Sequence, residues 1–350
     1  MASRLDASGS PCATVSAEAV AVEQSHRPNR SHRMWIVVAV SAALAIAAAA
    51  IAFVAVALLH EAPAAAPAAS QSPVEPATTV AAGEGSILYS DPQALTLAAR
   101  YADVLFGVAA SKSGEVDVVV DTGDGTVVSA SSFQARLGSG AELQPRSCGN
   151  GCFQLAAGGL QGKPVRLALT VTRPGKPDAT VDLTLPAKLP ANGDALYRKV
   201  LTSMGALRSV HVAETLTSGL GNSVYTEYDL QAPDRIRFET SQGQRVVIVG
   251  VHRYDYENGK WTASDFPETR SPSFIWQGAS RARLLGDTTL DGVPVQVLSL
   301  FLAHPDFPVW FRLYVRGDGR VLEADMLGPS HFMVNSFSGF NEPVTIEPPK

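Results

Sequence analysis

The chain has 350 residues, a formal net charge of −5, 46% hydrophobic and 17% charged side chains, and three cysteines. That length holds more than one ordinary domain, and the mild acidity leaves no basic footprint for nucleic acid. No zinc spacing, Gly-rich phosphate loop, serine elbow or Cys–His pair marks a reaction centre, so no catalytic residue, metal ligand or cofactor is assigned.

Residues 1–34 are rich in Ser, Ala and charge without an apolar period, and read as a disordered tail. Trp35–Leu59 then runs without a charged side chain, with Ser41 its only clearly polar one. As a helix of about 25 residues it would reach roughly 37 Å, enough to cross a hydrocarbon core of about 30 Å with some tilt. Arg27, Arg30 and Arg33 precede it, and the next Lys or Arg is Arg100. The cationic flank stays cytoplasmic, which predicts a cytoplasmic N-terminus, a single-pass anchor in the bilayer, and everything later outside the cell membrane. A cleaved signal peptide is the rival reading, but its apolar region is usually about 7–15 residues long. Residues 60–86, rich in Pro and Ala, form a semi-rigid linker. The abundance of Ala and of Arg over Lys fits a bacterial source with a GC-rich genome.

Residues 87–190 read as short strands broken by turns. Glu115–Val120 leads through Asp121-Thr-Gly-Asp-Gly125 into Thr126-Val-Val; Phe133–Leu137, Cys152–Leu155, Val165–Val171 and Thr180–Leu185 follow. That spacing predicts a β-sandwich of immunoglobulin-like size.

Residues 191–350 open with a helix whose Leu196, Val200, Met204 and Leu207 recur at helical spacing, capped by Asn192 or Asp194. Strands are predicted at 210–217, 223–230, 235–240, 245–251, 253–256, 260–263, 282–287, 293–302, 309–315, 320–327 and 331–337. Asn258-Gly259 and Asp291-Gly292 supply hairpin turns. Arg316-Gly317-Asp318 lies in another Gly-Asp-Gly hairpin and reads as a turn, not as an integrin-binding tripeptide. In 293–302 both faces are apolar, so that part of the sheet must curl around something or be covered; one helix of about 15 residues covers only part of it. The predicted fold is therefore mainly β: a transmembrane helix, an immunoglobulin-like sandwich, then an antiparallel half-barrel with one or more helices.

The stretch Pro233-Asp-Arg-Ile-Arg-Phe238, then Arg245–Gly250, then Tyr254…Gly259-Lys-Trp261, resembles the lipoprotein-localisation (LolA- and LppX-like) superfamily. Leu290-Asp-Gly292, Val295-Gln-Val-Leu298 and Asp318-Gly-Arg-Val321 fit its later hairpins. Over roughly 191–349 this resemblance implies a half-barrel plugged by helices and, in several members, a greasy cavity for acyl chains. Leu95–Val120, Cys148–Phe153 and Leu183–Pro186 are similar to the extracytoplasmic β-domain of CopD-like copper-resistance membrane proteins, without their multi-helix transport portion.

Cys148-Gly-Asn-Gly-Cys152 is the sharpest local motif. Soft thiolates suit Cu(I), but an oxidising compartment makes a disulfide the default. The histidines of the second region, His211, His252, His304 and His331, lack metal-ligand spacing. For a hydrophobic ligand the candidate lining is Phe238, Ile248, Tyr254, Trp261, Leu298, Leu300, Phe301 and Phe311, residue types that serve a packed core equally well. The resulting expectation is a non-enzymatic, membrane-anchored binding protein for a lipid or other hydrophobic ligand. The alternatives are an accessory or sensor in envelope copper homeostasis, and a scaffold for an envelope protein partner.

Overall fold

Alternating strands with one apolar face must pair that face with another layer, and two groups of strands do so separately here. The computed structural model describes residues 89, 91–158, 160–267, 272–303 and 307–350. The expected tail (1–34), anchor (35–59) and linker (60–86) lie outside these residues. Among the described residues no helix is long and apolar enough to cross a membrane.

The first group comprises β1 (Leu95–Tyr101), β2 (Val104–Ala110), β3 (Glu115–Thr122), β4 (Phe133–Leu137), β5 (Glu142–Leu143), β6 (Arg146–Gly149), β7 (Cys152–Ala156), β8 (Val165–Val171) and β9 (Ala179–Leu185). They form a five-stranded sheet, β1-β2-β3-β7-β6, and a four-stranded sheet, β5-β4-β8-β9. Inward side chains of both build one core, in which Phe133 and Phe153 stack with ring centroids 4.1 Å apart. Sequence reading missed β1, β2, β5 and β6 as strands. It also placed a strand at Thr126–Val128, which is a loop: Thr122 Oγ1 donates to the Thr126 carbonyl and the Thr126 amide donates to Asp124, a local alternative to ladder bonding. Cys148 and Cys152 are disulfide-bonded across the β6–β7 hairpin.

The second group starts with β10 (Ala191–Asn192) and α1 (Asp194–Gly205). The strands that follow are β11 (Ser209–Thr217), β12 (Ser223–Gln231), β13 (Arg235–Thr240), β14 (Arg245–Val249), β15 (His252–Glu257), β16 (Lys260–Asp265), β17 (Ser280–Leu290), β18 (Val293–Leu302), β19 (Val309–Arg316), β20 (Val321–Gly328) and β21 (His331–Ser338). All belong to one twelve-stranded antiparallel sheet in the order β10-β17-β18-β19-β20-β21-β11-β12-β13-β14-β15-β16. Most neighbours are joined by hairpins, and Asn258-Gly259 and Asp291-Gly292 take the positive φ values that two-residue turns require.

Helix α1 lies on one face of this sheet, burying Tyr197, Val200 and Met204 in a core that includes Leu298, Phe311, Leu313 and Val315. Its N-cap is Gly193, not Asn192 or Asp194. A Cβ on Gly193 would sit 2.5 Å from Leu298 Cδ1 and 3.0 Å from the Ala282 backbone, so the helix enters too close to the sheet for any larger cap. Asn192 instead accepts the Asp194 amide from just outside the helix.

The opposite face of the sheet meets the first group. The cross-strand row Phe301–Trp310–Leu327–Phe332 packs with Leu105, Ala98 and Tyr89. Gly107 makes this approach feasible, because a Cβ there would lie 2.4 Å from the Trp310 ring. Every residue of β2 is consequently buried, although its side chains alternate between two layers. Arg281 donates to the Tyr89 carbonyl and stands 5.0 Å over the Phe301 ring. A buried pair, Arg173 and Asp103 at 2.7 Å, ties the loop after β8 to the start of β2.

Candidate ligand-binding face

Directly paired residues of neighbouring antiparallel strands share a face, so the register fixes what the helix-bearing face carries. Three rows cross it. Leu300, Phe311, Met326, Met333, Leu216 and Val224 form the first. Phe337, Val212, Tyr228, Phe238 and Val246 form the second. Val210, Leu230, Ile236 and Ile248 form the third. The face is thus apolar from β18 round to β14. The connection from β16 to β17 adds Phe274 and Trp276, stacked 5.0 Å apart, and Tyr197 of α1 donates to the Trp276 carbonyl at 2.6 Å.

At β15 and β16 the face changes character. Val246 pairs with Asp255 and Ile248 with Arg253, and these two side chains close a bidentate ion pair with both contacts at 2.8 Å. The apolar surface therefore ends in a polar rim.

The eight candidate residues fall on two faces. Phe238, Ile248, Leu298, Leu300 and Phe311 share the helix-bearing face. Tyr254 and Trp261 lie on the opposite one, since period-2 alternation hands the inward positions of that hairpin to Arg253, Asp255 and Thr262. Phe301 also faces away, into the seam with the first sheet.

Within the apolar face the sequence reading missed a polar row. Asn335 of β21 pairs with Glu214 of β11, Glu214 with Thr226 of β12, and Thr226 with Thr240 of β13. All four are buried. Tyr228, from the adjacent row, donates its hydroxyl to Glu214 Oε1 at 3.0 Å. Burial pushes the Glu214 carboxyl up to about 7, against the opposing effect of that hydrogen bond. Burial and the neighbouring carboxyl push the Tyr228 phenol up as well. The signal was present as Glu in the inward phase of Val210-x-Val212-x-Glu214-x-Leu216, and as Asn between inward Met333 and Phe337.

His211 belongs to the outer face, between Glu227 at 2.6 Å and Asp229 at 3.0 Å, with Arg237 on the far side of Asp229. Among the described residues no three His, Cys, Asp or Glu side chains gather as a metal-binding group.

No protein-family model and no curated protein matches the chain. Among solved structures it is similar to the lipoprotein LppX of Mycobacterium tuberculosis, at 17% identity and a TM-score of 0.36, covering 44% of this chain and 97% of that one. It is also similar to LprF of Mycobacterium bovis, at 11% identity, a TM-score of 0.32, and 46% and 99% coverage. A LolA-superfamily protein of Nitrosomonas europaea gives 11% identity, a TM-score of 0.22, and 42% and 92% coverage. These neighbours are of the LolA- and LppX-like kind that the sequence resembles; at such identities the likeness carries no ligand across.

Proposed function

We propose that the chain is a membrane-anchored, extracytoplasmic and non-enzymatic binding protein, and that its twelve-stranded sheet takes a lipid or similar hydrophobic ligand on the helix-bearing face. One observation carries this reading: the apolar face is broader than the described helix. Twelve strands at about 4.8 Å spacing span roughly 50 Å, whereas a twelve-residue helix is about 18 Å long and 10–12 Å wide. Beside the part that α1 and the Phe274–Trp276 segment cover, Met333, Leu216, Val224, Tyr228, Phe238 and Ile236 stay only partly buried, which is the surface left for an acyl chain. The uncharged run Trp35–Leu59, preceded by three arginines, supports the anchor, and a short Pro- and Ala-rich linker then keeps the binding face near the bilayer. Hand-off or sensing at the membrane surface follows, in place of free shuttling. The immunoglobulin-like region (87–190) acts as a spacer fused to the back of the sheet (191–350). Native mass spectrometry of the full-length chain, expressed in bacteria and released from mild detergent, tests the proposal. Protein carrying co-purified acyl-chain mass is the expected result. Bare protein that also fails to take up lipid in exchange assays would overturn it.

A copper role has less to stand on at the Cys148–Cys152 loop, because the two sulfurs are bonded to each other and present no thiolate.

A further inference from the structure

The row Asn335–Glu214–Thr226–Thr240 interrupts an apolar face at mid-sheet, with the Met333–Leu216 row on one side and the Val212–Tyr228 row on the other. Burying polar side chains among apolar ones costs free energy unless each finds a partner. Glu214 has Tyr228 as its donor, and Thr240 Oγ1 accepts the Gln244 amide. Asn335 differs. It is 5% exposed, no side chain of the described residues hydrogen-bonds its amide, and its polar atoms keep a trace of solvent access. A free amide of this kind, beside a carboxyl and two hydroxyls, is a set of groups waiting for a ligand that can both donate and accept.

From this geometry we infer that the polar row is a headgroup subsite, and that the ligand is a neutral amphiphile with a free hydroxyl, such as a diacylglycerol, seated with its hydroxyl between Asn335 and Glu214. The inference rests on the hydrophobic-ligand reading and adds the chemistry of the polar end. Its sign follows from charge. At the β15 edge of the same face, Arg253 is held by both oxygens of Asp255 and offers no free charge to a phosphate. The burial that raises the Glu214 carboxyl to about 7 acts in the same sense, since a neutral carboxyl donates as well as accepts and repels no ester oxygen. The acyl chains would then extend along the flanking apolar rows, past Phe238 on one side and Leu216 on the other.

The test uses the full-length chain and three probes: dioleoylglycerol, its O-methyl ether, and dioleoyl phosphatidic acid, each displacing a fluorescent fatty-acyl reporter. The wild-type protein should bind dioleoylglycerol about tenfold more tightly than the ether, the size of one net buried hydrogen bond. It should bind phosphatidic acid more weakly than both. Asn335→Leu and Glu214→Leu should erase the preference for the free hydroxyl, so that alcohol and ether displace the reporter alike from each variant, and Glu214→Gln should keep the preference. Should Glu214→Leu fail to fold, Asn335→Leu and Glu214→Gln carry the comparison. Equal affinity of the wild-type protein for alcohol and ether, or a preference that survives Asn335→Leu, overturns the subsite but leaves lipid binding standing. A wild-type chain that does not take up the reporter at all overturns the hydrophobic-ligand reading, and the subsite with it.

Discussion

Glu214 occupies an inward position between Val212 and Leu216, and burial lifts its carboxyl to about 7. In the unfolded chain the same group titrates near 4.3. The native state therefore keeps a proton that the unfolded state releases, and stability falls as pH rises from about 4.5 to 7, by at most about 4 kcal/mol. Glu214→Gln removes the titration: urea melts should find the variant more stable than wild type by about 1–3 kcal/mol at pH 8 and equal to it near pH 5. A variant that retains the wild-type pH slope would show that the carboxyl is ionised in the native protein. His211 acts in the same direction; burial draws its pKa down, but Asp229 and Glu227 outweigh this and hold the imidazolium, so their contribution fades as pH rises through that raised value. Comparing Glu214→Gln with wild type leaves the His211 contribution common to both. Arg173 and Asp103 are each less than a tenth exposed. Arg173→Met leaves the buried Asp103 carboxylate to Lys176 alone, 3.5 Å away and more than a third exposed, and chemical denaturation should register a loss of up to about 3 kcal/mol. Replacing both partners by apolar residues should cost less than either single change.

Among the elements, α1 and the strands of the second sheet were largely legible, because Val309, Phe311, Leu313 and Val315 alternate strictly with Arg312 and Tyr314, and a one-residue slip would turn that apolar set outward. The start of α1 was not, since the cap is set by the distance from Gly193 to Leu298, a tertiary fact that the Asn192 and Asp194 side chains do not announce. β1 and β2 escaped for a related reason: β2 is apolar at every position because two layers enclose it, and a continuous apolar run has no period to read. The β15–β16 hairpin was legible as a hairpin, whereas the phase of its aromatics was not. Tyr254, Tyr256 and Trp261 look like lining by composition, and only the pairing of Ile248 with Arg253 assigns them to the outer face. The bond from Tyr197 to the Trp276 carbonyl pins the β16–β17 connection to α1. Tyr197→Phe keeps the ring and removes the donor, and thermal melts should show a destabilisation of about 1 kcal/mol, with the indole fluorescence of Trp276 shifted by its altered surroundings.

At the scale of the whole molecule, the two apolar faces of β18 explain each other. Leu298 and Leu300 point to α1, while Phe301 joins Trp310, Leu327 and Phe332 in a row that the first sheet covers. The need for cover was readable from 293–302; the identity of the cover, a second β layer, was not. Gly107 sits where the layers come closest. Gly107→Val should force the Trp310 ring out of place, raise protease sensitivity at the seam and lower the melting temperature, and pairing it with Trp310→Leu should restore part of the loss. Full stability in Gly107→Val would mean that the two layers are not held by this contact. The seam sets the Phe301–Phe332 row of the outer face against the first sheet, and under the proposed function the helix-bearing face is the one that takes ligand.

That division of faces is the claim to test most directly. A photoactivatable fatty-acyl probe, cross-linked to the full-length chain in vesicles and mapped by peptide mass spectrometry, should label the neighbourhood of Phe238, Ile248 and Leu216 on the helix-bearing face. Labelling concentrated at Tyr254 and Trp261, or none above that of an unfolded control, would contradict the account.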